Sequence, residues 1–153
     1  MHIKCLDRTI YGPTGWGWKS QKTPNPAWAE IETAVRALDQ FQHPFIHLWA
    51  TEDEQSQNYD GSDVLEIMGG LNAYWLAGTM SGFFQRRLHY PEFGTTEIPV
   101  WTSDQGFADA EKHICRDIDV VLQITRYYHD NGTFDPSIPV SYTHLTLPTI
   151  YSV

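Results

Sequence analysis

Residues 63–101, DVLEIMGGLNAYWLAGTMSGFFQRRLHYPEFGTTEIPVW, constrain the fold more than any other stretch of the chain. Four short apolar runs are separated by Gly69-Gly70-Leu71-Asn72, Ser81-Gly82 and Pro91-Glu92-Phe93-Gly94. Runs of this length, rich in aromatic and β-branched residues and bounded by turn formers, read as consecutive antiparallel strands. The residues around Val64–Met68 and Ala73–Ala77 are apolar on both faces, which predicts central strands covered on both sides. From Phe83 to Tyr90 polar and apolar residues alternate, which predicts a strand covered on one face only. Pro99 cannot donate to a ladder, so its strand belongs at an edge or a bulge. Arg86-Arg87 is a basic pair that calls for an acidic neighbour.

The flanking segments supply what covers this sheet. Residues 2–11 form a first strand. A Gly/Pro/Trp-rich loop follows from Gly12 and runs on to Thr23-Pro24, since glycine and proline break regular elements. Asn25-Pro26 is a helix start, a capping side chain followed by proline at the first helical position. Trp28, Ile31, Val35 and Leu38 then mark one apolar stripe, so the helix is expected over about 26–40. Pro44–Ala50 reads as a strand. Thr102-Ser103-Asp104 offers caps for a second helix expected over about 105–130, with Ile114, Ile118, Val121, Leu122 and Thr125 inward. Asp109, Glu111, Asp117 and Asp119 would face outward, and Asn131-Gly132 would stop the helix. The expected architecture is α+β: an antiparallel sheet of five or six strands with two helices packed on one face.

With 153 residues the chain suits one domain, and 41% hydrophobic residues allow a real core. No apolar run approaches the ~18–20 residues of a membrane-spanning helix, and the N-terminus lacks the apolar core of a secretory signal. Cys5 and Cys115 lie far apart without metal-ligand spacing and are expected as reduced thiols in a cytoplasmic protein. The net charge of −9 disfavours nucleic acid, which is held through clustered Lys and Arg. It favours a basic partner, although acidic charge also simply keeps a domain soluble.

The last fifteen residues, PVSYTHLTLPTIYSV, carry no charge. Pro139–Thr149 resembles one reading frame of a transposon-end sequencing adaptor. The expected domain is therefore residues 1–138, with 139–153 set apart as adaptor-derived and the native C-terminal segment, a last strand included, expected to be cut off.

Candidate functional residues fall into three groups. Trp16 and Trp18, two indoles in the glycine-rich loop, either plug the core edge or present a contact surface. The acidic loop around residues 51–61, with Glu52, Asp53, Glu54, Tyr59 and Asp60 and with Asp63 beyond it, resembles a calcium loop in composition only. It lacks the alternating ligands and the closing glutamate. His43 and His47 lie on an extended segment, about 13 Å apart by strand rise, too far to share a metal. Asp104, His113 and Cys115 are the one nearby set with nucleophile and base chemistry, yet Cys115 adjoins the apolar stripe, where thiols are inert. No catalytic residue, metal or cofactor is assigned.

The order of elements carries a resemblance. Trp28–Leu38, Phe45–Trp49, Leu65-Glu66-Ile67-Met68-Gly69-Gly70, Ala73-Tyr74-Trp75, Ile114–Ile118 and Asn131–Asp135 together resemble small bacterial immunity proteins. The likeness is greatest to the first immunity family of polymorphic toxin systems and related α+β families. The resemblance implies binding of a cognate toxin domain, often a nuclease, and its blockade by occlusion without catalysis. Glu52, Asp53, Glu54, Asp60 and Asp63 would pair with basic residues of the toxin, and Trp16, Trp18 and Tyr59 would be the desolvated anchors. The alternatives are a small enzyme, or an interaction or homodimerising domain using the edge near Pro99.

Overall fold

The computed structural model describes residues 3–50, 63–80 and 84–144. Nine strands are present among these residues: β1 Cys5–Tyr11, β2 Trp18–Pro24, β3 Phe45–Trp49, β4 Val64–Gly70, β5 Ala73–Met80, β6 Phe84–Leu88, β7 Glu97–Trp101, β8 Phe107–Ala110 and β9 Val140–His144. Two helices, α1 Trp28–Arg36 and α2 Ile118–Asn131, and a 3-10 turn at Glu111–His113 accompany the strands among the described residues. Seven strands form one antiparallel sheet in the order β2-β1-β3-β4-β5-β6-β9, while β7 and β8 form a separate ribbon.

The period-two rule places the two apolar sets of β4 and β5 on opposite faces. On one face Leu6, Ile46, Leu48, Leu65, Ile67, Tyr74, Leu76 and Leu88 pack against Ile31, Ala34 and Val35 of α1 and Val121, Leu122, Ile124 and Tyr128 of α2. On the other, Met68, Ala73, Trp75 and Ala77 pack against Val100, Ile114, Ile98 and Trp101, brought by the ribbon and the segment after it. Both central strands are thus covered twice, as their composition requires. Removing one such fully buried aliphatic side chain from water is worth about 1.5–3 kcal/mol.

The expected five or six strands are therefore seven plus two, and the two helices cover one face while a β-ribbon covers the other. Residues 18–24, expected as loop, are β2. Their polar run hides a strand because an edge position leaves both of its faces largely in water. α1 begins at Trp28, not at Pro26. Asn25 takes a left-handed conformation (φ 47°), its N–H bonds Lys4 O, and the cap is Ala27, whose N–H donates to Glu30 Oε1 at 2.9 Å. The second helix is shorter than expected, because Phe107–Ala110 pairs with β7 and Asp117 supplies the cap through Asp119 N. Gly132 ends it in the left-handed conformation (φ 75°), its N–H on Tyr128 O. Pro99 lies on the two-stranded ribbon, beside a register irregularity between Pro99 and Trp101.

Val140–His144, from the segment set apart on sequence grounds, pairs with β6, and His89 N bonds Pro139 O. The open edge of β6 is what seats it, since a ladder of backbone groups accepts extended chain of many sequences.

Candidate functional site

Four loops meet at one end of the large sheet, and backbone hydrogen bonds tie each to the next. Tyr11 N bonds Gln42 O, Gln40 N bonds Gly69 O, Thr102 N bonds Gln40 O, and Asp104 N bonds Gly15 O, at 2.7–2.9 Å. The Gln40 side chain adds a bond from Nε2 to Gly70 O. Gly15 (φ 83°) passes so close to Phe41 that a β-carbon would stand 2.8 Å from its ring. The floor is aromatic: Tyr11 and Phe45 meet Trp101 edge-on at 5.7 and 5.8 Å, and Trp101 Nε1 donates to Ser103 Oγ at 2.7 Å.

Large apolar side chains project from this platform into solvent. Trp16 is 61% exposed, Trp18 60%, Phe41 36% and Leu71 71%. Of the two alternatives for the tryptophans, the surface position is the one found. Leu71 is the most telling. It occupies the β4–β5 turn at φ 53°, followed by Asn72 at φ 64°. A type I′ turn favours Asn or Gly there, and a branched side chain in that conformation is strained. Neither the turn nor the core gains from leucine at this position. Phe41 and Leu71 escaped the sequence reading; the signal available was leucine in place of Asn or Gly in Gly69-Gly70-Leu71-Asn72.

Carboxylates stand among these loops. Asp39 is partly buried, which alone would raise its pKa, but the N–H groups of His43 and Phe41 and the His43 ring outweigh burial and lower it. Asp104 accepts from the Tyr11 hydroxyl at 3.2 Å, and burial with this bond pushes the Tyr11 phenol up to about 12. Two open depressions flank the loops, about 370 Å³ beside Trp101 and Asp104 and about 290 Å³ beside Tyr11 and Trp18.

Among the expected partner-binding residues, Glu52, Asp53, Glu54, Tyr59 and Asp60 lie outside the described residues. Asp63 is described: its carbonyl accepts from Ala50 N, and its charge acts on Tyr128. It therefore sits where β3 ends and β4 begins. β1 runs from Cys5, opposite Trp49, to Tyr11, opposite Trp18. That is about 20 Å by strand rise. Asp63 and the tryptophans are at opposite ends of the sheet.

Asp104, His113 and Cys115 share no network. Asp104 is held by Tyr11, His113 Nδ1 meets Asp109 Oδ1 at 3.1 Å, and Cys115 Sγ donates to Asp117 O at 3.3 Å. Burial pushes the Cys115 thiol up, away from the reactive thiolate. His43 and His47 each face a carboxylate, Asp39 at 3.4 Å and Glu66 at 3.5 Å. His47 is also stacked between Phe45 and Trp49. Among the described residues no group of three or more His, Cys, Asp and Glu is placed to hold a metal ion, and no helix is long and apolar enough to cross a membrane.

Asp109, expected to face outward on a helix, is instead the centre of a partly buried cluster on β8. It accepts from Trp75 Nε1 at 2.9 Å, Arg87 Nη1 at 3.2 Å and His113 Nδ1 at 3.1 Å. This is the acidic neighbour that the basic pair called for, met by Arg87. An ionised carboxylate can only accept, so the His113 proton sits on Nδ1.

Comparison with protein-family models, curated proteins and solved structures yields no match.

Proposed function

We propose that this chain is an immunity protein that binds a cognate bacterial toxin and blocks it by occlusion, with no chemistry of its own. The observation that carries the reading is the set Trp16, Trp18, Phe41 and Leu71, exposed on loops tied together by backbone hydrogen bonds, with Leu71 held in a strained turn. Rigid aromatic and aliphatic anchors of this kind bind protein surfaces at low entropic cost. The charge of −9 suits a basic partner such as a nuclease domain and would speed its approach, while the anchors would govern its escape. The toxin class itself rests on the resemblance in element order. Compartment follows from the same reading: an immunity protein against an intracellular nuclease acts in the cytoplasm.

The test is co-expression with the C-terminal domain of a candidate toxin drawn from the genes that flank this one. Growth should be rescued and a complex recovered by gel filtration. The double substitution Trp16→Ala and Leu71→Ala should weaken that complex about thirtyfold, the scale of two modest hot spots. If the host dies and the two proteins elute apart, the reading fails.

A second reading, a homodimerising interaction domain, is favoured by the exposed edge strand β2.

A further inference from the structure

β2 is the terminal strand of the seven-stranded sheet, and among the described residues no strand lies against its outer side. Its outward peptide groups can be identified. Gly12 N bonds Gly17 O, so the alternate β1 residues Ile10, Arg8 and Leu6 face β2 and bond to Lys19, Gln21 and Thr23. The outward groups are those of Trp18, Ser20, Lys22 and Pro24.

We propose that β2 pairs with β2 of a second copy of this chain across a two-fold axis at Gln21, joining the two seven-stranded sheets into one. In that register Ser20 faces Lys22 of the second copy, and the two exchange both backbone bonds. Trp18 N–H donates to the carbonyl of the opposing Pro24, the one outward residue without an N–H, which stands at the ladder's end where only an acceptor is required. The exposed Trp18 ring comes to lie on the same sheet face as the opposing Pro24. Gln21 faces its own copy as a non-hydrogen-bonded pair.

Charge selects this register. Lys19 and Lys22 would each oppose its own copy if the axis stood at either residue, and like charges directly opposite destabilise a sheet. An axis at Ser20 sets Trp18 against Lys22 and drops Thr23 and Pro24 from the ladder. With the axis at Gln21, all seven residues pair and Lys19 faces Thr23. Arg8, Gln21, Thr23 and Glu30 line one groove of about 340 Å³ between β2 and α1; Arg8 is tied to its own Gln21 at 3.2 Å, and each Lys19, opposite Thr23, extends toward the other copy's Glu30. Lysines on an edge strand ordinarily prevent sheet-to-sheet pairing; here they exclude the axes at Lys19 and Lys22, and the shorter ladder excludes the axis at Ser20. The Lys22 ammonium donates to Ser20 Oγ at 3.2 Å on the sheet face, and the pairing takes place at the strand's outer backbone.

The inference is independent of the toxin reading, except that in the dimer Trp18 faces the second copy, which leaves Trp16, Phe41 and Leu71 as toxin anchors. The test combines light scattering with site-directed cross-linking. The full chain should scatter as twice 17.6 kDa. Gln21→Cys should form an intermolecular disulfide in air, because opposed Cα atoms in a non-hydrogen-bonded pair stand about 4.5 Å apart. Lys19→Cys should not, its copies being roughly 13 Å apart along the strands. Lys19→Glu should raise the dimer dissociation constant about tenfold by setting a carboxylate against each Glu30, two like-charge pairs per dimer. A monomer at the highest soluble concentration overturns the proposal and leaves the edge to a strand from another protein. A dimer cross-linked by Lys19→Cys rather than Gln21→Cys overturns it as well. Neither result bears on rescue from a toxin.

Discussion

Asp109 shows how one carboxylate fastens a whole layer. Its side chain is 16% exposed and takes three side-chain donors, two from the large sheet side (Trp75, Arg87) and one from the turn after β8 (His113). Burial by itself would raise its pKa. The bonds from His113, the Ala110 N–H and Trp75 outweigh that effect and hold it below the ordinary carboxylate range. A carboxyl depressed in the folded state stabilises the fold above its unfolded pKa, near 3.9, and that contribution fades as pH falls through the lower folded value. Asp109→Ala leaves the Arg87 guanidinium and the Trp75 N–H without their acceptor in a confined space. It should cost about 3 kcal/mol in urea unfolding at pH 7, and less as the solution is acidified toward pH ~3. A variant equally stable at pH 7 would mean that the ribbon is held by its apolar contacts alone.

At the scale of elements, the turn between β4 and β5 is where sequence chemistry and packing meet. Gly70 (φ 136°) approaches the end of the α1 segment so closely that a β-carbon would stand 2.6 Å from Leu38 O and 2.7 Å from Asp39 Cα. Backbone cannot swing aside as a side chain can. Gly70→Ala should therefore cost about 3 kcal/mol from backbone strain and displacement together. Gly94→Ala, with open space around it, should stay within about 0.5 kcal/mol. Equal effects in thermal melts would show that the approach at Gly70 relaxes freely. The same scale explains what could be read in advance. β1, β3, β4 and β5 were legible because burial imposes apolar runs on them. β2 was not, since a strand wet on both faces has no hydrophobic period. β8 was not either: Phe107-Ala108-Asp109-Ala110 has helix-compatible spacing, and only its pairing with β7 makes it extended. Ile114, placed on a helix stripe by spacing, belongs to the opposite layer of the core.

Over the whole molecule, the candidate site was half legible. Trp16 and Trp18 are conspicuous in any glycine-rich loop, whereas Phe41 and Leu71 join them only because four distant loops converge, which no local pattern reveals. The fold also separates what the resemblance had grouped: Asp63 and the tryptophans stand at opposite ends of the sheet. The mutual tethering of those four loops has a consequence for chemical durability. A protease must draw a stretch of chain out of its surroundings before it can cut, so accessible side chains on tied backbone are poor substrates. Chymotrypsin should leave the bonds after Trp16 and Phe41 intact in the folded protein at doses that cut the unfolded chain at once, as peptide mass mapping would record. Rapid nicking after Trp16 would mean that the hairpin tip parts from its neighbours on its own. Digestion resistance at this aromatic corner would be the everyday sign that it stays in one shape.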